Sequence, residues 1–372
     1  MKTSRISLNQ MFTLLILYLT ASATLSNVGR LSGPNIWIVM LIAAVLGSIL
    51  FVIYHRISYL HGYQSLTLIL QDVFGKVLGS LVVLVYSGYF LYMGYRIVIS
   101  TGNMIQFTVM EGASMFLILG LLALVIWYGM MLGFNTIGRA SELLFYLVLI
   151  SFIPLVLGVF TSGIFNFDHF FPILEHGFKE VIPEIYKTTV FPYGELIAFF
   201  VIFPLVPKAQ SPKILKVGFA ALICGTILLL MVDIFNIGIL GEDLVYNFVY
   251  PFFNSMKMVG VNIFFERLDP LAIIILMTTC FFKICVYFYA GTSLINGVFK
   301  KINHKIISLP ILVVMCLCGA HFQESQVENL NQILNVNPTY LLPIFELAIP
   351  VLVWIISEIK YHKHPIEKSE TN

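Results

Sequence analysis

Long apolar runs separated by short polar joints make up almost the whole chain. A helix needs about 20 apolar residues to cross the hydrocarbon of a bilayer. Ten segments approach or exceed that length: 8–29, 35–56, 78–107, 114–134, 138–162, 186–206, 214–236, 270–298, 306–320 and 339–357. The ninth is short, and several others are long enough to tilt. Two longer joints interrupt the rhythm. Residues 163–185 carry Phe165, Phe167, Phe170 and Phe171 and are expected to lie against the membrane surface. Residues 237–269 include NFVYPFFNSMKMVGVNIFF, which is too broken to span and predicts an interfacial or re-entrant hairpin.

Composition sharpens this picture. Of the 372 residues, 59% are hydrophobic and 11% charged, against about 25% charged in soluble domains. The deficit runs the whole length, so the pattern is that of an all-α polytopic membrane protein. A net charge of +2 gives no sign of nucleic-acid binding. The charges inform through their placement. With the N-terminus inside, most lysines and arginines fall on inside joints, from Lys2 and Arg5 through Arg139, Lys208 and Lys213 to Lys300, Lys301, Lys360 and Lys368. The outside joints carry Arg30, Lys179, Lys187, Lys257 and Arg267. The positive-inside rule therefore places both termini in the cytoplasm, with 358–372 as a short solvated tail. The opening MKTSR, an apolar run and Ala21-Ser22-Ala23 also resemble a signal peptide with its cleavage site. The uncharged stretch continues to Val28, as in a span.

Ten spans divide into five and five, 1–162 and 186–357. An odd number per half makes the second half enter from the opposite side, an inverted repeat of the kind found in secondary transporters. Spans one and six then correspond, and both have irregular centres. Span six reads IYKTTVFPYGELIAFFVIFPLV. Pro192 lacks the N–H that would bond to residue 188, and Gly194 lets the chain leave helical geometry. Freed backbone groups cannot face lipid but can face a cavity, where half-helix ends bind charged groups. An amino-acid zwitterion offers one charge of each sign. A proline kink alone would not require Glu195, because a carboxylate near mid-membrane costs about 2.5–3.5 kcal/mol even on the lenient insertion scale. Pro192, Tyr193, Gly194 and Glu195 are thus candidates for a substrate site. Span one contributes Ala21, Ser22, Ala23 and Thr24, small residues that also suit close helix packing.

Other polar groups fall inside spans. Lys283, in TTCFFKICVYF, sits near the midplane, as a ligand-site cation or one half of a structural ion pair. Arg96 in span three reads as a structural partner of Glu346 or Asp233. Asp233 lies near the end of its span, where snorkelling to the interface is expected. Glu346 in span ten reads as an ion, proton or structural charge. Tyr89, with Tyr92 and Tyr95, either lines a cavity or packs as core. Cys224, Cys280, Cys285, Cys316 and Cys318 all lie in apolar segments as free thiols, with Cys316-x-Cys318 near His321 the one fragment of metal-ligand type. There is no Walker loop, no His-Glu-x-x-His and no glycine-flanked serine, so no enzyme, metal or cofactor is expected.

Five stretches taken in order carry a resemblance: ISLNQMF before span one, GYFLYMGYR, SELLFYLVLISFIPLVLGVF, FPYGELIAFF, and IFFERLDPLAIIIL entering span eight. Together they resemble the B subunits of GerA-type nutrient germinant receptors of bacterial endospores, over nearly the whole chain. The resemblance implies the amino acid–polyamine–organocation superfamily and a LeuT-like five-plus-five fold with helices one and six broken. It implies a receptor subunit in the inner membrane of the spore that senses an amino acid or helps sense a sugar. A larger A subunit, a C-subunit lipoprotein and membrane lipids are its implied partners, and nutrient binding leads to ion release. It further implies a pocket at Ala21, Ser22 and Ala23, near Tyr89, at Pro192 to Glu195, and around Lys283. The chain departs from the pattern by carrying Ala-Ser-Ala where glycines are common and Lys283 where a small or hydroxyl residue is usual. A proton-coupled amino-acid transporter on the same fold is the alternative, with Glu195 or Lys283 as its protonated site.

Overall fold

The computed structural model describes residues 5–175, 177–259, 267–299, 304–322 and 325–361, which are helical with no strand among them. The longer helices are α1 (Leu8–Ser26), α2 (Ile36–Leu60), α4 (Lys76–Thr108), α5 (Met115–Leu132), α6 (Phe134–Thr161), α8 (Ile214–Asn247), α10 (Asp269–Val298) and α11 (His304–His321). Shorter ones are α3 (Leu66–Phe74), α7 (Ile182–Thr188), α9 (Pro251–Met258), α12 (Gln326–Asn331) and α13 (Ile349–Tyr361). Seven described helices are long and apolar enough to cross a membrane, and the pair Gln326–Leu341 and Ile344–Tyr361, bent by 45°, makes an eighth. The predicted sixth segment is broken, and the ninth corresponds to the shorter apolar helix Ile307–His321.

Local chemistry sets the ends. Ser7 caps α1 in a reciprocal box with Gln10, and Ser65 and Ser114 cap α3 and α5. Gly133, at φ 92°, makes the turn between α5 and α6 that a side chain would strain.

The outer surface of this bundle is apolar. Val45, Ile49, Leu121, Val125, Leu143, Ile150 and Leu157 are all exposed. A soluble protein rarely shows so much contiguous apolar surface, and together with the length of the helices it makes the chain a multi-pass membrane protein. The inside is built around α1. From Met11 to Ser26 every residue except Phe12 is buried, with α6, α8 and α10 packed against it. α4 and α10 form the most extensive helix pair.

Several expectations change. Helix one is continuous through Ala21–Thr24 and not broken there. Thr20 and Ser26 return their hydroxyls to the carbonyls of Ile16 and Ser22, so the polar residues are satisfied within the helix. The chain leaves helical geometry only at Asn27, φ 52°, and Gly29, φ 82°. Asp233 does not snorkel, being only 3% exposed, because α8 continues past it to Asn247. Residues 251–258 form α9, whose Phe252, Phe253, Ser255 and Met256 are buried in the protein instead of lying at an interface. The rest of that predicted hairpin, 260–266, lies outside the described residues. In the 163–185 joint, Phe165 docks on α8, where Asn166 donates its N–H to the carbonyl of Gly238, while Phe167 and Phe171 stay exposed. The first residues of the predicted tail, to Tyr361, extend α13; 362–372 lie outside the described residues.

Candidate functional site

The break in the predicted sixth span is present. α7 ends at Thr188, residues Thr189–Tyr193 make a wide π-helical turn, and a tight 3-10 segment runs Gly194–Val201. Phe191 at the junction has φ −122° and ψ 108°, and the Phe191–Pro192 bond is cis. A proline and a glycine two residues apart cannot sustain regular i→i−4 bonding, so carbonyls are freed inside the bundle.

Tyrosines capture them. Tyr18 of α1 donates to the carbonyl of Glu195 at 2.8 Å. Tyr54 of α2 donates to Gly194 O at 3.1 Å and to Glu346 O at 2.7 Å. Tyr86 of α4 donates to Phe345 O at 2.8 Å. The last two acceptors belong to a second π-helical stretch, Ile344–Ala348, so the Tyr54 hydroxyl of α2 ties the two irregular segments together and the Tyr86 hydroxyl of α4 holds the second. Unbonded carbonyls in lipid cost several kcal/mol each.

The charged groups meet at the first break. Lys283 of α10 donates to Glu195 Oε2 and, at 2.7 Å, to Ser22 Oγ of α1. Tyr287, one turn further along α10, donates to Glu195 Oε1 at 2.8 Å. Both residues of the ion pair are wholly buried. The Lys283 ammonium lies 4.8 Å from the ring centre of Tyr18 and 5.3 Å from that of Phe191, within the range of attraction to a ring face. Glu346 is also fully buried. Its Oε1 accepts from Tyr89 at 2.6 Å, the Tyr89 ring stacks on Phe345 at 4.3 Å, and Oε2 has no hydrogen-bond partner. Gly194 packs directly against that oxygen, which a Cβ would overlap.

Ser22, Glu195, Lys283, Tyr89 and Glu346 are thus brought to one place. Ala21, Ala23 and Thr24 are buried on the same helix. Tyr193 turns away, its hydroxyl 2.8 Å from Thr226 of α8 and its ring against Gly47 of α2. The described hydrogen bonds of Arg96 run to Asn329 of α12, at 2.7 Å to the side-chain oxygen and 3.2 Å to the carbonyl, and not to the carboxylate of Glu346 or Asp233. Cys316 donates to Leu119 O at 3.4 Å.

The space at the break is small. A cavity of about 20 Å³ is lined by Ser22, Arg96, Phe191, Glu195 and Asn337 among others, room for about one water. Lys283 fills the position beside Glu195.

A family model described as spore germination protein matches residues 5–327. The chain belongs to that family. Spore germination protein KB of Bacillus subtilis strain 168 is 29% identical over 373 residues, covering 100% of this chain and 99% of the relative. Spore germination protein YndE of the same organism is 24% identical, covering 96% and 97%. Spore germination protein A2, also from that organism, is 22% identical over 75% and 76% of the two chains.

In this family member the sequence reading missed four tyrosines, Tyr18, Tyr54, Tyr86 and Tyr287. Two were within reach of a spacing argument. Tyr18 stands four residues before Ser22 and Tyr287 four after Lys283, one helical turn in each case, on the same face. Tyr54 and Tyr86 gave no such signal, because their partners are carbonyls of residues remote in sequence.

Proposed function

We propose that the chain is the B-type membrane subunit of a nutrient germinant receptor, sensing a small nutrient such as an amino acid at the helix break. In this reading it sits in the inner membrane of the spore with both termini cytoplasmic, its ten spans forming two inverted repeats, 1–162 and 186–357. It signals to an A subunit and a C-subunit lipoprotein. The observation that carries the reading is the sealed Glu195–Lys283 pair beside a broken helix, in a chain that matches spore germination protein KB from end to end.

The pair is a built-in stand-in for a zwitterion. Glu195, Tyr18 and Phe191 surround one ammonium, that of Lys283. An amino acid entering an opened site takes this place with its own ammonium and presents its carboxylate to Lys283. The binding energy then favours whichever arrangement of the helices separates the pair. A ligand shifts such an equilibrium only by its differential affinity for the two states.

The test is a panel of amino acids and sugars applied to spores lacking only this subunit. Loss of the response to one nutrient class supports the reading; an unchanged panel overturns it. Two buried carboxylates, Glu195 and Glu346, favour one alternative, a proton-coupled amino-acid carrier. Saturable, proton-driven accumulation in liposomes holding this chain alone would establish that carrier.

A further inference from the structure

Glu346 stands apart from the pair just described. It is wholly buried, one carboxylate oxygen accepts from Tyr89, and the other has no partner. The ionisable groups facing it can be named element by element. Tyr18 comes from α1, Tyr54 from α2, and Tyr86 and Tyr89 from α4. Tyr186 comes from α7, Glu195 from the 3-10 segment, and Lys283 and Tyr287 from α10. Lys283 is the one base in this set, and its described hydrogen bonds go to Glu195 and Ser22; Arg96 of α4, which lines the same small cavity, directs its described hydrogen bonds to Asn329 and none to Glu346.

Glu195, Lys283 and Glu346 therefore sum to one excess negative charge if both acids are ionised. Two carboxylates sharing one buried site do not both ionise without a second cation. Glu195 has the ammonium and the Tyr287 hydroxyl, which fix it as the ionised member. Glu346 has one hydroxyl donor and a bare oxygen against Gly194.

We propose that Glu346 is a proton-binding site: its carboxyl carries a proton on Oε2 while Lys283 is engaged with Glu195. When a cationic group reaches Oε2, the O–H bond breaks, the proton passes to water in the opened site and on to the bulk, and the carboxylate takes the cation as its counter-ion. Proton and ammonium thus exchange one for one. Coupling this exchange to a nutrient rests on the receptor reading; the proton itself does not.

Infrared spectroscopy of the purified full-length protein, without nutrient, tests the site. A protonated-carboxyl C=O band is expected near neutral pH and is lost or strongly reduced in Glu346→Gln. Asp233→Asn serves as a control, because Asp233 has an unpartnered buried oxygen too. Where Glu346→Gln does not accumulate, Tyr89→Phe removes the hydrogen bond to Oε1 and is expected to move the band to higher frequency. A band unaffected by Glu346→Gln or by Tyr89→Phe overturns the proposal. For the coupling, the half-saturating concentration of the nutrient identified by the panel is expected to fall as pH rises, by up to about tenfold per unit, and to lose that slope in Glu346→Gln. A flat wild-type response with the band in place overturns the exchange but leaves the proton site standing.

Discussion

At the scale of single residues, the molecule turns on how few partners a buried charge has. Lys283 and Glu195 satisfy one another, with Ser22 and Tyr287 completing the shell. Truncating one member of a buried pair strands the other, at about 3–5 kcal/mol. Lys283→Met is therefore expected to lower thermal stability in detergent by that order, and Lys283→Met with Glu195→Gln to recover most of it. Recovery absent in the double variant would show that the cost lies elsewhere. Glu195→Gln alone keeps the hydrogen-bonding shape but loses the charge. It is expected to raise the nutrient concentration needed for response by tenfold or more at normal membrane abundance. The factor follows from a charged hydrogen bond of about 1.5–3 kcal/mol. Germination dose-response with immunoblotting checks it.

Elements add constraints that no single residue carries. α4 and α10 approach closely because Gly94 and Gly291 face the partner helix. A Cβ at Gly94 would come within 3.0 Å of Phe288, and one at Gly291 within 2.6 Å of Leu91. Ser87 of α4 donates to Gly291 O at 2.8 Å across the seam. This seam holds Tyr89 opposite the residues that carry Lys283 and Tyr287. Gly291→Leu is expected to force the helices apart, costing about 1–3 kcal/mol as overpacking does. Unfolding in detergent reads that loss, and an unchanged midpoint would mean that the seam yields freely. Small residues suited to close packing were visible in span one, but the glycines of this seam were not singled out for it. That Gly194 serves the same purpose against a carboxylate was not visible either, since Glu346 lies far along the sequence and approaches through a bent helix.

For the molecule as a whole, the end of α13 is fastened to the ends of α2 and α3. Arg56 pairs with Glu358 at 2.6 Å, and Asp72 takes Lys360 and Tyr361, each at 2.7 Å. His61, just past α2, lies 2.9 Å from Ser357 Oγ. Burial holds the His61 imidazole below its ordinary value, outweighing the attraction of Asp72. A histidine with a lowered folded value binds its proton more readily when released. Stability is then complete above about pH 6.5, the ordinary value, and declines as pH falls below it. Thermal melts at successive pH values are expected to show this decline, and His61→Gln to flatten it. Equal slopes in the two proteins would remove His61 as the cause. Because α13 follows directly on the Glu346 segment, this fastening also fixes how deeply that carboxyl sits.

Membrane character, the approximate positions of the helices and the break at Pro192 to Gly194 were all legible in the chain. Each follows from local rules: apolar length, the missing proline N–H, and the cost of a carboxylate in hydrocarbon. The sequence alone also singled out Glu195 and Lys283 as charges in need of partners. Only the tertiary structure decided that they partner each other, that Ser22 joins them from an unbroken helix, and that Arg96 reaches the Asn329 amide. Partner choice depends on distances between residues remote in sequence, and such distances are set when helices pack, not by the residues flanking each charge.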